Sequence, residues 1–258
     1  MKKNYATGIR CLLSLAFLML GEAQASGYHS QSLSETENPE LQILAEEDAA
    51  FQIKELKSQI IAIALANQSS LKNAEFVRAQ LNPLVEKLGA LETKTFEEEK
   101  ALKVGVWQQL WTDDADDARA DNFFQKVDRT NTYQVVFDDG VFFNVSEIQT
   151  LLGRFTGFLR GSYEAVEPRF NLEFTDLKVR AGRVPSPEQD GLLKFVESAK
   201  LGRLKGLFTF PGERRYPNGP VGAKGYIETV FIDEEIRIDQ GANLADGVMD
   251  LFVLVRAE

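Results

Sequence analysis

Two kinds of hydrophobic periodicity divide the chain near Lys103. Between Leu41 and Ala66, Ala49, Ile53, Leu56, Ile60 and Ile63 recur at three- and four-residue spacing, which places them on one face of a helix. Val77, Leu81, Leu84 and Leu88 repeat the pattern. Pro83 interrupts it, which predicts two short helical pieces, and Gly89 is placed as a C-cap. Both stripes are expected to pack against the rest of the domain rather than to hold a partner.

After Lys103 apolar residues come in short runs separated by turn signals. Val104 to Trp111 reads as a strand. Tyr133 to Phe137 and Val141 to Val145 flank Asp138-Asp139-Gly140, a hairpin signal in which Asp-Gly suits the positive φ angles of a type I′ turn. Phe155 to Tyr163 is a further strand. In Arg169 to Ala181, Phe170, Leu172 and Phe174 alternate with polar neighbours, and the phase then jumps to Leu177, Val179 and Ala181. A one-residue slip of phase predicts a bulge, which bends a strand as barrel closure requires. Gly225 to Asp233 and Asp250 to Arg256 are the last clear strands. Pro185 to Leu204 and Pro211 to Gly222 read as loops, the first with a helical turn around Leu192 to Ala199. The pattern predicts a mostly β chain with N-terminal helices, built as an antiparallel barrel or sandwich.

The first residues change the picture. Lys2, Lys3 and Arg10 precede an apolar run from Cys11 to Gly21, and Ala23-Gln24-Ala25 offers small residues where a signal peptidase reads. The run is short of the roughly 20 apolar residues that a membrane span needs. Residues 1–25 are therefore expected to be a cleaved signal, 26–40 a disordered leader, and 41–258 one domain (41–100 helical, 101–258 barrel). Cleavage implies an exported protein, periplasmic or secreted. The full chain carries 29 basic and 39 acidic residues, net −10. The signal takes three bases and one acid with it, so the mature chain is more acidic still. Such a surface repels nucleic acid, while leaving apolar contact with a membrane surface open.

Candidate chemistry is sparse. The one cysteine, Cys11, leaves with the signal, and the one histidine, His29, lies in the leader. A histidine triad, a multi-histidine metal site and a cysteine nucleophile are excluded. No cofactor is indicated. Asp113 to Asp121 lacks the glycine and glutamate of an EF-hand loop and reads as a solvated acidic loop. Gly219 to Gly225 has the wrong spacing for a phosphate loop. Arg214-Arg215-Tyr216 reads as an exposed loop, with an anionic headgroup at a pocket mouth as the alternative. Asp233, Glu234 and Glu235 read as a charged turn, and as paired acid–base carboxylates only in a third reading, an enzyme. Gly105-Val106-Trp107 opens the first long strand, and Arg237 lies between Ile236 and Ile238. A buried guanidinium needs a partner, and a tryptophan face offers a cation–π contact of about 0.5 to 2 kcal/mol. Gly105, Trp107 and Arg237 are the expected barrel closure, an arrangement similar to that of lipocalins.

The chain also resembles the plastid lipid-associated proteins, or fibrillins. The residues that carry the resemblance are Leu81-Asn82-Pro83, Gly105 to Thr112, Tyr133 to Val136 and Asn144. The closing block adds Gly225, Phe231 to Glu234, Ile236-Arg237-Ile238, Gly241 and Leu251 to Arg256. Trp111 and Phe231 stand where that family tends to have tyrosine, and Gln240 replaces a usual arginine. The export signal differs from a plastid transit peptide, so location and plastid partners do not carry over. The resemblance implies a lipocalin-like barrel that binds or shields an apolar small molecule: a lipid, isoprenoid, quinone or carotenoid. An interior rich in phenylalanine suits such a ligand, and Phe137, Phe143, Phe155, Phe158, Phe170 and Phe174 are the expected lining. The alternative is a non-enzymatic, structural or envelope-associated protein with a filled core.

Overall fold

The computed structural model describes residues 39–68, 73–114, 125–209, 219–244 and 247–257. The expected signal, nearly all of the leader, Arg214-Arg215-Tyr216 and most of the acidic loop lie outside these residues.

Three helices precede the strands: α1 (Pro39–Asn67), α2 (Ala74–Gly89) and α3 (Phe96–Lys103). α2 is one continuous helix that runs through Pro83, where two pieces were expected. Pro83 is exposed, so water can take up the carbonyl that its missing N–H leaves free. Gly89 is not a left-handed cap: the cap is Ala90, in right-handed geometry. Gly89 serves close approach instead, because a Cβ there would lie 2.8 Å from Val230 Cγ1. α3 begins with a capping box between Thr95 and Glu98, which satisfies orphan N–H groups in both directions.

The strands are β1 (Gly105–Thr112), β2 (Gln125–Val136), β3 (Val141–Thr150), β4 (Gly153–Val166), β5 (Arg169–Ala181), β6 (Leu207–Thr209), β7 (Lys224–Ile232), β8 (Ile236–Asn243) and β9 (Met249–Arg256). Each long strand pairs antiparallel with the next, and β1 pairs with β9. The ring is β1-β2-β3-β4-β5-β7-β8-β9, a closed, lipocalin-like, eight-stranded barrel. Eight strands enclose a space that side chains just fill, or that takes one small ligand. β6 lies outside the ring and extends the far end of β5.

The phase slip in β5 is a register shift: Arg160 faces Asp176 while Gly161 faces Phe174, leaving Thr175 unpaired. Further shifts occur in the β1–β9, β2–β3 and β7–β8 pairs. The β2–β3 turn differs from the expected type I′. Phe137 N–H donates to Val141 at 2.9 Å, the loop has three residues, and only Gly140 has positive φ (80°). This is a turn closed by a glycine in left-handed geometry. β8 is absent from the predicted strands because one face carries Arg237, Asp239, Gly241 and Asn243, which gives no apolar alternation. A helix, α4 (Gly191–Lys200), covers the helical turn expected around Leu192 to Ala199.

Two apolar cores lie on the outside of the ring. α1 and α2 bury Ile60, Ala64, Val77, Leu81, Val85 and Leu88 against Trp111, Phe231, Ile236, Ile238, Leu251 and Val253. α4 buries Leu192 and Val196 against Val135, Phe143, Val145 and Phe158. The two amphipathic stripes of α1 and α2 thus face the barrel wall.

Candidate functional site

The two strand faces separate wall from interior. Phe143, Val145 and Phe158 share the outer face with α4; Phe158 lies 5.3 Å from Phe195 of that helix, ring to ring. Phe137 packs on the edge of the same core, 6.2 Å from Phe143. Phe170 and Phe142 face inward, and they line one void together with Gln134, Tyr163, Leu172, Ile227 and Arg237, residues from six strands. Register places Phe174 and Phe155 on this inner face, opposite Gly161 and Ile148. Of the six phenylalanines named from sequence, the structure therefore brings Phe155, Phe170 and Phe174 to the interior and sets Phe137, Phe143 and Phe158 under α4. Phe142 is an interior aromatic that sequence reasoning missed. In Phe142-Phe143 the two rings take opposite faces, and no periodicity in the short run tells which one points in.

One end of the barrel is plugged. α3 turns into β1 there, with the Phe96 ring tilted against Phe170, 5.0 Å between centroids. Gly105 holds φ +125°, and a Cβ on it would meet Arg256 Nη1 at 2.5 Å. Trp107 is fully buried and donates from Nε1 to Lys103 O at 2.8 Å. The Arg237 guanidinium lies 5.0 Å from the Trp107 ring, so the two meet inside the plug. Arg256 comes closer, 3.9 Å, and ties the corner by donating to the carbonyls of Val104 and Leu102. From sequence Arg256 had no role beyond its place at the end of the closing block.

The plug holds a charged cluster. Lys103 donates to Asp239 Oδ1 at 2.7 Å, and Arg237 Nε lies 3.0 Å from Asp239 Oδ2 without hydrogen-bond alignment. Arg237 also donates from Nη2 to Gln134 Oε1. All three charged side chains are buried. Burial draws the Lys103 ammonium down to about 8, against the pull of Asp239. Burial also lowers Arg237, which Asp239 opposes. The signal that could have revealed the cluster is Arg237-x-Asp239, two opposite charges at strand spacing and hence on one face.

Beyond the plug the interior changes character. Trp107, Phe170, Ile232 and Arg237 are essentially solvent-free. On the same inner face, farther along the strands, Leu159, Leu172, Phe174, Leu177, Ile227 and Phe252 are only half-buried, as are Gln109 and Asn144. The apolar side chains come mainly from β4, β5 and β7, while β1 to β3 add amides and hydroxyls. The void beside Arg237 measures about 20 Å³, the room of one water.

Asp233 is part of a turn. Its Oδ1 accepts from the N–H groups of Glu235 and Ile236, and Oδ2 meets Lys57 of α1 at 2.6 Å. Burial would raise Asp233, but Lys57 and these N–H groups hold it below its ordinary value. Among the described residues, no three His, Cys, Asp or Glu side chains stand close enough to hold a metal. No helix among them is long and apolar enough to cross a membrane. No family model matches the sequence, and no curated protein matches it.

Proposed function

We propose that this protein binds and shields an apolar small molecule in its barrel: a lipid, isoprenoid, quinone or carotenoid. The observation that carries the reading is the half-buried apolar wall of Leu159, Leu172, Phe174, Leu177, Ile227 and Phe252 on the inner face of a closed ring. In a filled barrel inward side chains are covered by one another, as they are in the plug. Beyond the plug these six are only partly covered, although Phe142 and Val179 on the same face are buried, and a cargo there would remove apolar surface from water at about 25 cal/mol per Å². The similarity of the closing block to fibrillins supports the same class of cargo. The acidic exterior suits a carrier that stays soluble with such a load, and the leading signal pattern supports a location outside the cytoplasm.

A second reading, a structural or envelope-associated protein with a filled core, is favoured by the small void beside Arg237. Organic extraction of natively purified protein, followed by mass spectrometry, separates the two. A bound isoprenoid or lipid is the expected result. Binding should also raise the melting temperature, by about 2.7 kcal/mol of stability at a hundredfold excess over Kd. An empty extract, with no thermal response to quinones, carotenoids or fatty acids, would leave the filled-core reading.

A further inference from the structure

The buried heart of the plug holds two cations and one carboxylate. Lys103 and Arg237 are two cations against the single carboxylate of Asp239, all three buried and in contact. Farther out, Glu99 of α3 attracts Lys103, and Arg256, itself attracted by Glu234, repels Arg237. Arg237 is also short of acceptors. Nη2 has Gln134, but among the described residues Nη1 has no hydrogen-bond partner. A buried guanidinium N–H without an acceptor costs more than one left in water. Arg237 and Lys103 both line the void of about 20 Å³, and Phe142, Tyr163, Phe170, Leu172 and Ile227 form its other walls.

We propose that this void receives one oxygen of the carboxylate of an amphipathic ligand, a long-chain fatty acid or another isoprenoid or lipid acid. The carboxylate's charge balances the second cation and that oxygen accepts from Arg237. The tail then runs from Leu172 and Ile227 along the half-buried apolar wall toward Phe174 and Leu159. The inference rests on the carrier reading above and narrows its cargo to acids.

The experiment compares palmitate, methyl palmitate and cetyl alcohol, which share a chain and differ in the head. Binding to the full mature protein is measured by calorimetry at neutral pH. Palmitate is expected to bind about tenfold tighter than the ester or alcohol, the scale of one charge-assisted hydrogen bond. Arg237→Gln is the obvious variant, but it strips the plug and can unfold the chain. Lys103→Met is therefore the deciding one, because it leaves Arg237 and Asp239 as a balanced pair. It should keep ester and alcohol affinity and lose the preference for the acid. In the wild type, palmitate affinity should fall as pH rises past about 8, where Lys103, facing Asp239 and Arg237 of β8 and Glu99 of its own helix, loses its charge. Equal affinity for all three probes, or a preference that survives Lys103→Met, overturns the headgroup site while the carrier reading stands. Binding of quinones or carotenoids with no binding of palmitate does the same. Failure of every apolar probe overturns both.

Discussion

At the residue scale the plug is governed by what burial does to charge. Lys103 binds fewer protons folded than unfolded between about pH 8 and its ordinary value of 10.5. Stability rises with pH wherever the unfolded chain holds the extra proton, so the penalty of the buried ammonium is relieved across this window. The wild type is thus expected to gain melting temperature relative to Lys103→Met from pH 8 to 10.5. A constant difference across those values would refute the assignment. Asp233 has the opposite sign. Its folded value lies below the ordinary 3.8, so the stability it adds is complete above that pH and is lost as pH falls through the folded value. Asp233→Asn should cost about 1–3 kcal/mol at neutral pH, and denaturant curves of the two proteins should converge in acid. Arg237→Ala should cost a few kcal/mol, about the size seen when one member of a buried pair is removed, and Arg237→Lys should recover only part, because an ammonium lacks the planar face set against Trp107.

At the scale of elements, α2 and α4 are fastened to opposite parts of the outer wall. α2 crosses β7 at Gly89, where there is no room for a methyl group beside Val230. Alanine is the better helix former by about 1 kcal/mol, and crowding a packed contact costs about 1–3 kcal/mol. Gly89→Ala is expected to destabilise on balance, and a double-mutant cycle with Val230→Ala should show the cost largely relieved. No coupling in that cycle would mean that the helix simply shifts. α4 rests on Phe158, so Leu192→Ala and Phe158→Ala should each cost about 2–5 kcal/mol in chemical denaturation. A phenylalanine that lined an open cavity would cost less, so the measurement also tests which face Phe158 occupies.

For the whole molecule, the closed ring gives two zones, a plug at the α3 end and a half-buried wall beyond it. Gly157 lies on the inner face of that wall, where a Cβ would sit 3.0 Å from Ile148 Cδ1. Gly157→Phe should therefore fill the second zone and remove the ligand-induced thermal shift, while cooperative unfolding persists. A variant that still binds with wild-type affinity would place the cargo elsewhere.

Much of the architecture could be read along the chain, because it depends on local pattern. The stripe through Ile53, Leu56 and Ile60, the Asp138-Asp139-Gly140 turn and the phase slip between Phe174 and Leu177 each correspond to an observed helix, hairpin and bulge. The alternation also marked most of the strands. Local pattern does not say which side of a strand points inward once both sides are covered. Helices on the outer wall bury Phe143 and Phe158 as thoroughly as the interior buries Phe170, so hydrophobicity alone could not sort them. β8 escaped for the converse reason, since its inward face is charged and its strand identity rests on pairing with β7 and β9. Residue types and spacing determined the helices, the turns and the need of Arg237 for a partner. Ring closure decided which partners it has. It brought Lys103, Gln134 and Trp107, more than a hundred residues away in sequence, against Arg237 and Asp239, and among the described residues it left Nη1 of that guanidinium without a hydrogen-bond acceptor.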